Sequence, residues 1–367
     1  MISVILLSIL FAFLTLKPTG QTSSRLPLLS DVTSAHHREL CSGCQPRQHV
    51  LYLKTHKTGS TTIYSILAEF CRARELLPLL PRDVHINLYA KFHASQLLLH
   101  KGVSQYDMLF NHMVFEPKVL NYLPNDTFKF TTLRDPLRQF ISSFRFFSQY
   151  KDQSYLQNIP GPEPMITFLS DTKRYEAKGM RSLTNNRQSV DLGFDLRYSV
   201  NDTSYIIRFV KQVEENFDLV LITEYFDESL VLLKRLLGWS TCDILYFQKW
   251  KSAHQSDDVD PVLRKLHRHH SVADRCLYFH FLGVFKQVLS TQRDVPGEVE
   301  EFRSVLRQVG QFCDGHTGQR QLVIPAGRWT DRVAILKSKC EWLKLDEVSF
   351  TRHLQKTQLK RLAETPS

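Results

Sequence analysis

Three times along this chain a short apolar run gives way to a turn of polar and small residues, and then to a segment whose apolar positions recur at helical spacing. The first run is "HVLYL" (49–53), followed by the turn "KTHKTGST" and a helix carrying Ile63, Ile66, Leu67 and Phe70 on one face. The second is "FKFTTL" (128–133), which turns at Arg134-Asp135 and enters a helix with Pro136 at its first position and Phe140, Phe144 and Phe147 on one stripe. The third is "FDLVLITEYFDESLVLLKRLLGW" (217–239), where Asp227 suits the cap of a helix that carries Leu230, Leu233 and Leu237 and stops at Gly238. Repetition of strand, turn and helix predicts an α/β fold with a central parallel sheet flanked by helices. Ligands of such sheets collect at the carboxyl ends of the strands, which directs attention to the first two turns.

The pattern also divides the chain. Residues 1–16 form an apolar segment that stops at Lys17-Pro18, shorter than the roughly 20 residues that span a bilayer. A cleaved signal peptide and a short signal-anchor fit it equally, and both send the remainder into the secretory lumen. Residues 17–48, rich in Ser, Thr, Pro and His and without a regular period, read as a lumenal stem. The folded domain runs over 49–295. Residues 296–367 read as a helical extension of that domain, with loops such as "CDGHTGQRQ" and no chemistry of their own.

Composition narrows the partners. With 47 basic against 37 acidic residues the net charge is +10, which favours anionic ligands, while the absence of a long Lys/Arg run argues against a nucleic-acid arm. The densest basic stretch, "LRKLHRHH" (263–270), reads as a solvated helix face. Sequons at Asn125 and Asn201 suit a glycosylated lumenal chain. Seven cysteines allow three disulfides; Cys41 and Cys44 form a lone CxxC that reads as structural and not as a metal site.

The two turns supply the candidate chemistry. Around Gly59 the backbone can curl so that amides from Thr58 to Thr62 point at an anion in front of a helix N-terminus. Lys57 adds a charge, and Ser60, Thr61 and Thr62 add hydroxyls. Lys57 precedes the only glycine, so this is not the nucleotide loop "GxxxxGK[ST]", and magnesium-dependent ATP chemistry fits poorly. In the second turn Arg134 ends a strand and Ser142 follows eight residues later, about two helical turns on, so the pair can share a second phosphate; Arg138 is a further candidate. Each turn also has a plainer reading, as a solvated helix cap. Together they imply a ligand with two separate anionic groups.

"LKTHKTGS" and "LRDPLRQFISSF" resemble the phosphosulfate-binding and 3'-phosphate-binding motifs of Golgi carbohydrate sulfotransferases, and most of all those of the galactose 3-O-sulfotransferases. "NHMVF" (111–115), "DLGFD" (191–195), "ILYFQKW" (244–250) and "LYFHF" (277–281) extend the likeness over about residues 44–285. The resemblance implies a P-loop-like sulfotransferase fold and transfer of a sulfuryl group from 3'-phosphoadenosine 5'-phosphosulfate to the 3-hydroxyl of galactose on a galactosylceramide-type glycolipid or a glycan, without a metal requirement. It implies donor binding by Lys54, Thr55, Lys57, Thr58, Gly59, Ser60, Thr61, Thr62, Arg134 and Ser142, although Lys54 can equally close its strand. His56, beside Lys57, is favoured as the base, with His112 as acceptor-binding residue or alternate base. Thr223 and Glu224, at the third strand end, suit a structural or cofactor-side role. The implied setting is the Golgi membrane, single-pass type II, with the catalytic domain lumenal; a homodimer is left open. Within "SLTNNRQSVDLGFD" (182–195), Asn and Gln stand where the resemblance leads one to expect apolar residues, which leaves the acceptor open.

Two other readings compete. A sulfotransferase acting at another position, such as a uronic acid 2-hydroxyl of a glycosaminoglycan, would want a long basic groove, and the basic residues are scattered. A non-catalytic lumenal glycan-binding protein would have no need to keep Lys57, His56, Arg134 and Ser142 together.

Overall fold

The computed structural model describes residues 45–86, 89, 92–198, 202–247, 259–315 and 318–363. The apolar segment 1–16, nearly all of the proposed stem, the Cys41/Cys44 pair and Asn201 lie outside the described residues. Strands β1 (Val50–Leu53), β2 (Met108–Leu109), β3 (Phe128–Leu133) and β4 (Leu219–Ile222) form a parallel sheet in the order β2-β1-β3-β4. A parallel sheet is covered on both faces, and so its strands read as unbroken apolar runs; Val50 to Leu53 are all buried. After β1 the chain passes to β2 on one side and returns to β3 on the other. The carboxyl ends of β1 and β3 therefore flank the switch point where α/β sheets bind ligands.

Helix α1 (Ser60–Ala73) follows β1 and α2 (Pro136–Phe147) follows β3, as the spacing predicts. A short helix, α3 (Arg187–Asp191), crosses the top of the sheet, and α4 (Thr203–Asn216) leads into β4. Helix α5 (Phe226–Leu237) ends at Gly238, whose φ of 65° fits the expected stop. Its start differs from expectation: Tyr225 occupies the cap, and Asp227 lies in the first turn, where its carboxylate accepts from Tyr246 Oη at 2.8 Å and Arg303 Nε at 2.7 Å.

The C-terminal part is more than an appendage of charged helices. Helices α6 (Val272–Thr291) and α7 (Val295–Asp314) are followed by an antiparallel hairpin of β5 (Gln321–Ile324) and β6 (Val333–Leu336), then α8 (Lys337–Lys344) and α9 (Glu347–Ala363). A disulfide, Cys313–Cys340, joins α7 to α8, while Cys71, Cys242 and Cys276 are free thiols. Helix α9 lies along α1: Tyr64 Oη and Thr351 Oγ1 are 2.6 Å apart, and Gln358 Nε2 donates to the Pro78 carbonyl at 3.1 Å. Buried side chains from β1 through Leu354 form one apolar cluster. Residues just before the sheet are already engaged, since Arg47 bonds through its amide to the Leu237 carbonyl and through its carbonyl to Trp239 Nε1, both at 2.9 Å.

The basic stretch 263–270 divides where a wholly solvated face was expected. Arg264, Lys265, Arg268 and His269 are exposed, but His267 and His270 turn inward against Phe140, and His270 Nε2 sits 3.2 Å from Glu176. They serve a second apolar cluster under α2, built on Phe140, Phe144 and Phe168. Asn125 is exposed in the loop before β3.

Helices α5 and α7 are joined by charge. Glu298, 1% exposed, pairs with Lys234 at 2.6 Å and with Arg235 at 2.5 Å. Removing the shared partner leaves two buried cations uncompensated, a loss of about 3–5 kcal/mol. Glu298→Ala should therefore lower the thermal midpoint by roughly 5–10 °C, read by melting of the full chain; an unchanged midpoint would show the network to be unimportant.

Candidate active site

The turn after β1 is held by its own groups. Lys57 and Gly59 have left-handed backbones, with φ of 62° and 76°. At Gly59 a side chain would also approach the Phe226 ring to 3.3 Å, a tight contact that adds to the backbone's preference for glycine. Thr55 Oγ1 donates to the Thr132 carbonyl at 2.5 Å, Thr58 Oγ1 lies 2.8 Å from Thr55 Oγ1, and Ser60 Oγ donates to the Thr55 carbonyl at 2.8 Å. These three hydroxyls shape the loop. Thr61 and Thr62 are half-buried at the start of α1. Thr223 Oγ1 donates to the carbonyls of Thr58 and Leu133, at 2.8 and 3.0 Å, and so fastens the loop to the end of β3.

The two turns meet. Arg134 Nη1 donates to the Lys57 carbonyl at 3.1 Å. The Arg134 backbone exchanges two bonds with the Gln188 side chain, at 2.8 and 3.0 Å. Asp135 caps α2 by accepting from the Arg138 amide at 2.9 Å, which is the capping role its position suggested. Its own amide donates to Glu224 Oε1 at 3.0 Å, and burial raises the pKa of that carboxylate. Ser142 is half-buried two turns along α2. The ammonium of Lys57 sits 3.7 Å from the ring centroid of the exposed Phe146. Burial, and then the charges of Arg134 and Lys54, bring the Lys57 pKa down to about 8. Cations that weaken one another in this way would all be relieved by an anion laid among them.

His56 is 5% exposed and faces Asp191, the first residue of the "DLGFD" stretch, to which the sequence pattern assigns no role. Asp191, at the end of α3 and fully buried, lies 2.8 and 3.0 Å from His56 Nδ1 through its two oxygens, and Oδ2 also accepts from the His56 amide at 2.8 Å. Carboxylate oxygens only accept, so the two contacts with Asp191 put the proton on Nδ1 and leave Nε2 with a free lone pair; Arg187 Nε also approaches Nδ1 to 3.2 Å, but with Nδ1 protonated its N–H is spent on Asp191 Oδ1 at 3.0 Å. Arg187, four residues before Asp191 and fully buried, donates to Oδ1 through Nε at 3.0 Å and Nη2 at 2.6 Å. Burial opposes the charge on Asp191, but Arg187 and His56 outweigh it and hold the carboxyl below its usual range. For His56 burial dominates over the attraction of Asp191, and its pKa lies below the ordinary imidazole value.

His112, just beyond β2, lies tilted against His56 with ring centroids 4.4 Å apart and donates from Nδ1 to the Lys54 carbonyl at 3.1 Å. Burial, then the charges of Lys54 and His56, push its pKa well below the ordinary value. The Lys54 side chain, 1% exposed, is ion-paired with Glu347 at the start of α9. Lys54 thus closes its strand onto the C-terminal helix in this structure.

The polar residues that interrupt 182–195 have structural causes. Asn186 adopts φ of 49° before α3, and Gln188 anchors Arg134. The α3 amides of Gln188 and Ser189 donate to Asp274 on α6 at 3.2 and 2.7 Å, and burial raises the Asp274 pKa to about 6. The i, i+4 pair of Arg187 and Asp191 was a readable signal for a buried ion pair on one helix face. Nothing local marks Glu347.

The family model described as galactose-3-O-sulfotransferase matches residues 1–326. Galactosylceramide sulfotransferase of Bos taurus is 33% identical over 319 residues, which cover 84% of this chain and 72% of that protein. Galactose-3-O-sulfotransferase 2 of Mus musculus is 32% identical, covering 73% of this chain and 70% of that protein. Galactose-3-O-sulfotransferase 3 of Mus musculus is 34% identical, covering 72% and 63%. Over a match this long, with the two turns joined at one switch point, the chain belongs to the galactose-3-O-sulfotransferase family.

Proposed function

We propose that this protein transfers a sulfuryl group from 3'-phosphoadenosine 5'-phosphosulfate to the 3-hydroxyl of a galactose on a glycolipid or glycan, in the Golgi lumen, with residues 1–16 as its membrane anchor. The observation that carries the reading is the His56–Asp191 pair set directly beside the crowded cations Lys57 and Arg134. One relative is named for galactosylceramide and others for galactose alone, which supports a galactose-bearing acceptor.

The donor brings an anionic group for each turn and the sulfuryl group that is transferred. Lys57 and the turn amides bind one of those groups and stabilise the charge that grows on the departing phosphate. Arg134 and Ser142 bind the other and fix the donor in register. His56 Nε2 takes the proton of the galactose 3-hydroxyl, while Asp191 holds the ring in the tautomer that can accept it. His112, neutral and packed against His56, accepts from the incoming sugar and keeps the approach ordered.

His56→Ala should reduce kcat by roughly 10²–10⁴ and leave adenosine 3',5'-bisphosphate binding nearly unchanged, as read by radiolabel transfer to galactosylceramide or lactose and by calorimetry. Lys57→Ala should lose both. Retained turnover in His56→Ala would move the base to His112, and absence of transfer by the full-length wild-type chain to any galactoside would overturn the function. Asp191→Asn should lower kcat and shift the acidic limb of kcat/KM to lower pH, because the carboxylate raises the His56 pKa.

The alkaline limb reports Lys57. Its charge is lost as pH rises through about 8, so kcat/KM should fall there, and Lys57→Arg should move that limb upward. A limb that stays in place in Lys57→Arg would assign it to another group.

A further inference from the structure

Beyond His112, as counted from His56, three buried polar atoms have no hydrogen-bond partner among the described residues: His85 Nδ1, Asn111 Oδ1 and Glu347 Oε1. They are neighbours. The His85 ring stands edge-on to His112 with centroids 5.6 Å apart, and His85 Nδ1 is 4.0 Å from Glu347 Oε1. Lys54 holds the other Glu347 oxygen, and its carbonyl holds His112. Asn111 is tied through Nδ2 at 3.2 Å to Thr351, one turn after Glu347 on α9.

A nitrogen and a carboxylate oxygen 4.0 Å apart are too distant for a direct hydrogen bond, yet a hydroxyl placed between them can donate to the oxygen and accept from the ring N–H. Burial keeps the His85 pKa below the ordinary value, so the ring stays neutral and the carboxylate is not cancelled by it. Because Lys54 and Glu347 neutralise one another, this end of the site has no net positive charge to hold the phosphosulfate donor or a uronate, and it suits a neutral polyol. The line from His56 through His112 to His85 suits one hexose with several hydroxyls presented to one wall.

We infer that Glu347 and His85 bind a second hydroxyl of the acceptor galactose, with Asn111 Oδ1 as a further acceptor, so that sugar specificity is set from the C-terminal helix α9. The inference rests on the proposed reaction and adds the residues that read the acceptor. Glu347 lies outside the family match at 1–326.

The test uses the full-length chain with methyl β-galactoside and its 2-, 4- and 6-deoxy analogues. The wild-type chain should lose about tenfold or more in kcat/KM on at least one analogue, because a buried carboxylate oxygen is then left unpaired. In Glu347→Gln and in His85→Phe the parent sugar should fall toward the level of that analogue, so that the two become equal to within about twofold, with adenosine 3',5'-bisphosphate affinity unchanged. Should Glu347→Gln fail to fold because Lys54 loses its partner, His85→Phe decides. Wild-type transfer with discrimination unaltered in the variants overturns the subsite alone; absence of wild-type transfer to the parent galactoside overturns the proposed reaction and the subsite with it.

Discussion

Asp191 keeps a negative charge where no solvent reaches it, and much of the polar architecture above the sheet follows from that constraint. A buried carboxylate survives only when its oxygens are paired and bonded. Arg187 supplies the pairing from one turn earlier on the same short helix, and His56 supplies a ring N–H and a backbone amide from the loop after β1. Arg187 is itself buried and donates to the Met180 carbonyl at 2.9 Å, so the segment before α3 is drawn in as well. Asp274 then holds the amides at the front of α3, and Gln188 reaches from it to Arg134. The proposed base His56, the carboxylate that orients it and the turn at Arg134 are thus set by one five-residue helix.

The site has two electrical halves. On the side of β3 the cations Lys57 and Arg134 crowd together, and the lowered pKa of Lys57 records its burial first and that crowding second. On the side of β2 the ammonium of Lys54 is neutralised by Glu347, leaving a wall of neutral imidazoles and a carboxylate oxygen. The packed rings of His56 and His112 mark the border. An anionic donor and a neutral sugar would thereby be sorted to opposite sides of the group that joins them.

The sheet and its first two turns were legible because their signals are local. Apolar runs, a turn glycine and helical spacing around Ile63 or Phe140 are written in consecutive residues. Where one local rule meets a stronger tertiary demand the local signal misleads: Asp227 looks like a cap but is claimed by Tyr246 and Arg303, and His267 and His270 sit in a basic stretch yet pack inward beside Phe140. Asn186 and Gln188 looked out of place because buried polar residues make sense only once their partners, Asp274 and the Arg134 backbone, are known. Glu347 was silent for the same reason. Its partner Lys54 is 293 residues away, and no periodicity reports so distant a contact.

The central claim is that His56 stands neutral, with Nδ1 protonated toward Asp191 and Nε2 open to a hydroxyl. Nitrogen NMR of the imidazole rings, with His56→Gln to assign the signal, measures both the tautomer and the charge. The expected result is a neutral Nδ1–H ring at pH 7 that gains a proton only below about pH 6.5, the ordinary imidazole value. A cationic His56 at pH 7, or a neutral ring carrying its proton on Nε2, would contradict it.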